Sequence, residues 1–455
     1  MVLEQATTTT KISYYHILFF MASLPFDMFY SHVILISFCL HTIIQSKGPV
    51  RFLPWGRGRK GFSTPEQPLL TNTLSSRTPP EGGNYNVNRS SFIWHNILLQ
   101  SVFWITALST IYTLNRPEAF SQLGRHIPIL LFPVLFGLSP FDFRRYRPQL
   151  LLGFSLVCTA IVGYLYLDAL YTIRFYGLPL KAILSSSFTN HNFSDPIGIH
   201  ATFFSLQLAI SLVCLLSILL KEPDRKRQLF YAICVCMLSA GLMQLSSKAV
   251  FFAVFLVVNI AVPVFLLQGK VRRKFIWITG SISVLIIGAI LTLGFLKTRY
   301  ISNFKYDMEL TSKNALLDSR LDRWSTSFEL IKKKPIIGYG AGSELGLLHE
   351  SFYAKKYYSS FINHLNTHNE YLSFWLKSGI IGLLAYLVTL GFGFKQALKR
   401  KDLLFFTFML LVAFVSFSEN LLDVDKGVIF YAFFFSFFIF SGDGKIEKPT
   451  SAITH

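Results

Sequence analysis

The sequence predicts an all-α protein that crosses a membrane about twelve times. Hydrophobic residues make up 52 % of the 455 positions and charged residues only 15 %, whereas a soluble domain usually carries about 25 % charged residues. The charged residues are therefore too few to cover a water-facing surface, and the mean hydropathy is +0.46. Apolar runs long enough to cross a bilayer recur along the chain. These observations exclude a cytosolic globular enzyme, a secreted disulfide scaffold and a disordered chain.

Twelve apolar segments are candidate membrane spans. A hydrocarbon core about 30 Å thick needs about 20 residues of helix, or fewer where the helix bends. The candidates are residues 12 to 26, 28 to 45, 91 to 113, 127 to 140, 150 to 170, 200 to 220, 229 to 245, 249 to 268, 275 to 296, 372 to 392, 403 to 418 and 428 to 441.

The spans and the segments between them predict six regions. These are an N-terminal transmembrane hairpin (1 to 45), a flexible basic linker rich in Gly, Pro and Ser (46 to 90), a transmembrane bundle (91 to 296), a large loop (297 to 371), C-terminal transmembrane helices (372 to 441) and a tail (442 to 455). The linker composition is typical of a flexible segment. Its basic residues would suit an anionic inner leaflet.

The basic residues predict an orientation. With the N-terminus placed in the cytoplasm, the predicted cytoplasmic segments together hold 25 Lys and Arg, and the short segments on the other side hold 6. Positive residues in short loops mark the cytoplasmic side, so both termini are predicted to be cytoplasmic. Residues 297 to 371 carry 11 Lys and Arg on the outer side. Long loops translocate regardless of charge, so the orientation stands and these bases are expected to meet an anion.

The large outer loop holds the residues best suited to chemistry, since loops above about 15 residues are usually functional. It contains SRLDRW at Ser319 to Trp324, KKKPIIGYGAG at Lys332 to Gly342 and the beginning of HLNTHNEYLSFWLKSGIIG at His364 to Gly382. Arg320 and Arg323 lie three residues apart and share a face if the segment is helical. They could form an anion site or only a solvated stripe.

The glycines and histidines of this loop have competing interpretations. The glycines at positions 338, 340 and 342 follow a basic run rather than a β-strand, which argues against a dinucleotide site. They favour a tight turn or a close approach of the backbone to a ligand. His364 and His368 have the i, i+4 spacing of helical metal ligands. A zinc site needs a third protein ligand, for which Glu370 and His349 are only guesses, so no metal is predicted.

The end of the loop resembles a known family. His368-Asn369, followed after nine residues by Gly379-Ile-Ile-Gly382, resembles the histidine and double-glycine signature of the O-antigen ligase and O-antigen polymerase superfamily. Similar pieces occur elsewhere over roughly residues 150 to 441: Phe188 to Asn192, His200 to Ser205, Ser246 to Ala249, Ser418 to Asn420, and the run with Arg320, Trp324, Pro335 and the three glycines. Lys248 stands where many members have arginine, which keeps the charge and loses the bidentate fork.

The resemblance implies a GT-C-like glycosyltransferase of the bacterial inner membrane with a periplasmic active site. The expected donor is an undecaprenyl-diphosphate-linked glycan, because nucleotide sugars are not available outside that membrane. The resemblance implies a ligase that transfers O-antigen with inversion to a hydroxyl of the lipid A core. Membrane lipids are expected partners; nucleic acid, metal and cofactor are not. The alternatives are a polymerase, a protein O-oligosaccharyltransferase and, from a different class, a transporter or flippase.

The same chemistry assigns roles to six residues. His368 is the predicted catalytic base, because imidazole titrates near the working pH; the rival interpretation is an interfacial anchor. The cations placed on the outer face are predicted to bind the diphosphate, whose charge needs fixed positive groups; they are Arg320, Arg323, Arg174 and Lys248. Asn369 is grouped with the substrate-binding residues, although an asparagine at this position also suits a helix cap.

Overall fold

The computed structural model describes residues 6–45, 95–310 and 318–442, and within those ranges the regular secondary structure is entirely helical. The predicted linker at 46 to 90 and the tail beyond residue 442 lie outside the described residues. The prediction of an all-α membrane protein is therefore confirmed at the level of its fold class and its many apolar helices.

Fifteen helices organise the described chain. The first ten are α1 (Thr8–Ser23), α2 (Met28–Gln45), α3 (Ser101–Thr110), α4 (Arg116–Arg125), α5 (Ile127–Leu138), α6 (Phe143–Phe175), α7 (Ala201–Leu219), α8 (Arg225–Leu245), α9 (Lys248–Leu266) and α10 (Gly269–Thr292). The last five are α11 (Arg320–Lys333), α12 (Glu344–Ala354), α13 (Glu370–Arg400), α14 (Leu403–Val415) and α15 (Asp425–Phe440). Short helical pieces connect several of them.

Each of the twelve predicted apolar segments coincides with a helix, but the helices differ in length. Among the described residues, eight helical segments are at least 18 residues long and apolar enough to cross a membrane. The apolar helices α3 and α14 are shorter, with 10 and 13 residues. In contrast, α6 has 33 residues, which at 1.5 Å per residue is about 50 Å and exceeds the hydrocarbon thickness. The count of about twelve spans stays a prediction.

The two ends of the bundle differ in chemistry. Basic residues cluster at one end, beside the start of α6, the start of α8, the start of α10 and the end of α13. We call this the basic end. The segments joining helices at the opposite end include the residues between α6 and α7, between α10 and α13, and between α14 and α15. Nearly all of the predicted site residues lie at this opposite end, which we call the site end.

The phenylalanine-rich helix α15 forms the centre of the bundle rather than its lipid surface. Its rings from Phe430 to Phe438 are all buried. They pack edge-on and face-on against neighbouring helices, as in the contacts of Phe433 with Phe136 of α5 and of Phe438 with Phe405 of α14. Lipid tails are as apolar as these rings, so dispersion in close packing, rather than exclusion of water, holds the helices together.

The helix α13 is interrupted at Gly379, which has φ 65° and ψ −168°. A Cβ there would lie 1.9 Å from the carbonyl oxygen of Ile336, so only glycine fits without displacing backbone. The interruption frees the carbonyls of Leu376 and Lys377 to accept hydrogen bonds from the amides of Tyr339 and Gly340, at 3.0 and 2.8 Å. The glycine run therefore turns tightly against other backbone.

Candidate functional site

A cavity of about 760 Å³ opens at the site end, between α9, α11 and the turn that joins α14 to α15. We call it the rim cavity. Its lining includes charged and polar side chains: Asn190, Lys248, Asp307, Arg320, Trp324 and Glu419. Its volume lies in the range of small-molecule sites.

Apolar side chains also line the rim cavity. They include Ala249, Phe252, Phe304, Met308, Phe414 and Phe417. Phe252, Phe304 and Phe417 are each about half exposed. Exposed aromatic rings beside a membrane-spanning helix are compatible with lipid contact, so the cavity offers both charged and hydrocarbon-like groups to the same occupant.

His368 is held next to the rim cavity by a carboxylate that lines it. The Nδ1 atom of His368 lies 3.0 Å from Oε2 of Glu419 and donates a hydrogen bond to it. This bond assigns the proton of the neutral imidazole to Nδ1 and leaves the lone pair on Nε2. Within the described residues Nε2 has no protein partner, and the side chain is part-exposed. A base oriented by a carboxylate in this way can take a proton from a hydroxyl.

The charge on Glu419 is favoured by its surroundings. Burial alone would raise the pKa of Glu419, but the hydrogen bond and electrostatic interaction with His368 and the positive charge of Arg320 together outweigh it and lower the pKa. The carboxylate is therefore ionised at neutral pH. It can stabilise the imidazolium that forms when His368 accepts a proton.

The backbone at His368 is strained and locally supported. His368 has φ +46°, a region that residues other than glycine occupy infrequently. Its amide donates to Oδ1 of Asn366 at 2.9 Å, and Trp324 of the cavity wall donates to the carbonyl of Thr367 at 2.9 Å. The helical i, i+4 relation between His364 and His368 is therefore wrong: both lie in a non-helical turn before α13, and His364 stacks on His349.

A buried polar cluster holds the turn that carries His368 in place. Asn420 accepts hydrogen bonds from the Asn369 amide at 2.8 Å and from the Thr367 hydroxyl at 3.0 Å. Its own amide group donates to Glu344 and Asp423, at 3.0 and 2.9 Å. Asn420 thereby joins the turn that carries His368 to the segment that carries Glu419, because it follows Glu419 in sequence.

Lys377 neutralises the centre of that cluster. Its ammonium group lies 2.6 Å from Asp423 and 3.8 Å from Glu344, and it is almost completely buried. Burial alone would raise the pKa of Asp423, but the charge and hydrogen bond of Lys377 outweigh this and hold the pKa below its ordinary value. A third carboxylate, Glu370, is buried beside them and accepts from the Leu422 amide at 2.7 Å.

The structure brings together two of the four cations predicted to bind a diphosphate. Arg320 and Lys248 both line the rim cavity. Arg320 donates through Nη1 to the Ser418 carbonyl at 2.9 Å, while its buried Nε has no partner among the described residues. Lys248 lies 3.7 Å from Asp307, so part of its charge is already balanced.

The other predicted binding residues lie apart from the cavity lining. Arg323 is buried 3.8 Å from Asp318, and Arg174 is exposed near the end of α6. In the described chain neither residue lines a cavity found at the site end. Asn369 is buried, and its side chain accepts from the Leu372 amide at 3.1 Å, which confirms the interpretation as a helix cap.

Two histidines from the resembling segments upstream also meet at the site end. The rings of His191 and His200 lie 3.9 Å apart. Burial, followed by the charge of His191, lowers the pKa of His200 to about 4, so this ring is neutral at neutral pH. Nδ1 of His191 accepts from the Ala201 amide, which ties the segment after Asn190 to the start of α7.

Sequence reasoning missed several residues of the site. Glu419 and Asn420 were noticed only as part of a resembling tripeptide, and Asp307, Glu344 and Asp423 were not singled out. A carboxylate and an amide in a short turn between two apolar helices were the available signal for Glu419 and Asn420. The pairing of Glu419 with a residue 51 positions away depends on tertiary packing.

Comparison with known proteins finds one matching family. Residues 232–387 match the family described as O-antigen ligase, a stretch that includes Lys248, Arg320 and His368. In addition, 81 residues are 30 % identical to an uncharacterized protein of Haemophilus influenzae. That similarity spans 18 % of this chain and 20 % of the other. The match at 232–387, about a third of the chain, supports the O-antigen ligase superfamily, and together with the many apolar helices it points to a multi-pass bacterial membrane protein.

Proposed function

We propose that this protein is an inverting glycosyltransferase that moves a glycan from an undecaprenyl-diphosphate-linked donor to an acceptor hydroxyl. The proposed reaction is ligation of O-antigen to the lipid A core. The observation that carries this proposal is the juxtaposition of the His368–Glu419 pair with Arg320 and Lys248 at one cavity. The half-exposed aromatic wall of the same cavity suits the polyprenyl part of the donor.

The proposed chemistry is a single displacement. Nε2 of His368 accepts the proton of the acceptor hydroxyl. At the same time the oxygen of that hydroxyl forms a bond to the anomeric carbon of the donor sugar. The bond from that carbon to the phosphate oxygen breaks, and the lipid diphosphate leaves with the electron pair. Arg320 and Lys248 stabilise the negative charge on the leaving group. Attack opposite to the leaving group inverts the configuration at the anomeric carbon.

The proposed setting is the inner membrane with both termini in the cytoplasm and the site end in the periplasm. The basic end then faces the cytoplasm, in agreement with the bias of positive residues in short loops. The large loop at 297 to 371 is folded rather than open where it is described, because α11 and α12 pack at the site end. Arg323, Arg174 and Asn369 remain proposed substrate-binding residues, although none of them lines the rim cavity.

The function is tested by transfer assays in sealed membrane vesicles of either orientation. Vesicles receive a defined undecaprenyl-diphosphate-linked glycan together with lipid A core, a second lipid-linked repeat unit or an acceptor protein. We expect product on lipid A core, formed where the periplasmic face is accessible to acceptor. Extension of the lipid-linked unit alone would establish the polymerase alternative, and modification of the protein alone the oligosaccharyltransferase. Transport of the lipid without transfer would establish the transporter class.

Replacing Arg320 with lysine is expected to weaken use of the donor. Lysine keeps the charge but cannot hold the Ser418 carbonyl and a phosphate oxygen with one planar fork. The KM for the lipid-linked donor should rise about tenfold, corresponding to the loss of one charge-assisted hydrogen bond. The KM for the acceptor should stay within about twofold. Arg125→Lys, in a pair with Glu118, is the control; equal changes in both KM values would contradict a diphosphate role.

A further inference from the structure

A second cavity at the site end has a different lining from the rim cavity. It has a volume of about 650 Å³, lies between the segment before α7 and the residues after α10, and is here called the side cavity. Hydroxyl, amide and guanidinium groups contribute to its walls: Ser186, Thr189, Asn192, Arg299 and Asn303. In the described chain no carboxylate and no aromatic ring of Phe, Tyr or Trp lines it. Such a surface suits a neutral polyhydroxylated ligand.

The side cavity and the rim cavity meet at Asn190. This residue lines both of them. It also lines a smaller space of about 310 Å³ between them, together with Lys248, Arg299 and Asp307. A ligand that reached from Arg320 and Lys248 of the rim cavity into the side cavity would therefore pass the side chain of Asn190.

The backbone of Asn190 is fixed in an unusual conformation. It has φ +58° and ψ −129°, a combination that costs free energy for any residue other than glycine. The carbonyl of Gln244 holds it there by accepting from the Asn190 amide at 3.0 Å. The same carbonyl accepts from Arg299 at 2.7 Å, so the end of α8 anchors two walls of the cavities at once.

The side chain of Asn190 is exposed and available for hydrogen bonding. Within the described residues its carboxamide has no hydrogen-bond partner, whereas neighbouring Asn192 donates to the Ser186 carbonyl at 3.0 Å. A carboxamide offers two donors and an acceptor, which is the complement of adjacent sugar hydroxyls. The strained backbone thus holds this group where the two cavities join.

We propose that the side cavity is a saccharide subsite and that the carboxamide of Asn190 binds a sugar residue at its entrance. The inference rests on the proposed function, because the diphosphate is placed at Arg320 and Lys248 of the rim cavity. We assign the part of the substrate that passes Asn190 to the glycan, because this carboxamide and the hydroxyl and amide groups of the side cavity complement sugar hydroxyls. The sugar could belong to the donor or to the acceptor.

The test is a binding measurement on the purified full-length protein and its Asn190→Gly variant. Glycine removes the carboxamide and relieves the positive φ, so the fold should be retained and the thermal midpoint unchanged or raised. The three probes are undecaprenyl diphosphate, undecaprenyl-diphosphate-linked glycan and lipid A core. We expect Asn190→Gly to weaken binding of one glycan-bearing probe about tenfold, as for loss of hydrogen bonds to hydroxyls, and to leave binding of the sugar-free lipid unchanged.

The outcomes are distinct. Weakened binding of the glycan-linked lipid assigns the subsite to the donor, and weakened binding of the lipid A core assigns it to the acceptor. Equal weakening for the sugar-free and glycan-linked lipids, or no change with any probe, overturns the subsite. Asn363→Gly, which removes an exposed carboxamide bonded only to the Ser359 carbonyl and away from these cavities, should change nothing. Failure of the wild-type protein to bind either lipid diphosphate overturns the proposed function itself.

Discussion

Replacement of His368 by alanine is expected to abolish measurable glycan transfer while the protein remains folded and inserted. The variant loses the lone pair of Nε2 and leaves Glu419 without the hydrogen bond at 3.0 Å. Removal of a general base typically lowers a rate by about 10² to 10⁴. Initial rates of product formation in membranes, with protein amount determined by quantitative blotting, measure the effect.

His364→Ala is the matched control for this substitution. It lies in the same turn, also has a positive φ, and stacks on His349 rather than contacting the rim cavity. Its transfer rate should stay within about threefold of the wild type. Donor binding by His368→Ala should also persist, since Arg320 and Lys248 are unchanged. Retained transfer by His368→Ala, at a rate similar to that of His364→Ala, would remove the catalytic role.

Lys377→Met is expected to cause the largest loss of stability of any single substitution in the polar cluster. Methionine has a similar length but leaves Asp423 and Glu344 buried without their cation. Breaking a buried ion pair by removing one partner costs about 3–5 kcal/mol, because an uncompensated charge remains. Thermal unfolding of the detergent-purified protein should show a lower midpoint, with partial loss of transfer as the His368 turn loosens.

Two further variants separate this effect from a general loss of positive charge. Lys305→Met removes an ammonium that pairs with Glu309 on the exposed surface and should leave the midpoint almost unchanged. Asp423→Asn in the Lys377→Met background removes a carboxylate and should restore part of the lost stability. If the double variant unfolds at a lower temperature than Lys377→Met, charge imbalance is not the cause.

The helices were predictable because each depends on a local property of the chain. Apolar runs predict helices in lipid, where every backbone polar group must find a partner within the segment. The twelve predicted segments accordingly coincide with helices, including the weakly marked α1 and α15. The interruption of α13 was not predicted, because Gly379 was noticed for a resemblance and its φ is imposed by contact with residues 336 and 337.

The site was predictable only in part, for a physical reason. His368 and Arg320 could be predicted because glycan transfer from a lipid diphosphate needs a base and a cation. Both residues also lie in segments that resemble the family. Glu419 gains its role from a neighbour 51 residues away, and Asn190 from a strained turn against Gln244. Arg323 illustrates the converse, since it shares a helix with Arg320 but is buried against Asp318. Side-chain direction in the folded bundle decides which cation reaches the cavity.

The interruption at Gly379 has a mechanical consequence for a protein that works at a lipid boundary. Residues 370–378 are bonded to the glycine run and the α14–α15 turn, whereas 380–400 lie in the bundle with α3 and α14. Bilayers of different thickness change the tilt of long helices. Tilting of the inner portion would pivot at Gly379, so residues 370–378 could keep their bonds to the glycine run while the bilayer thickness changes.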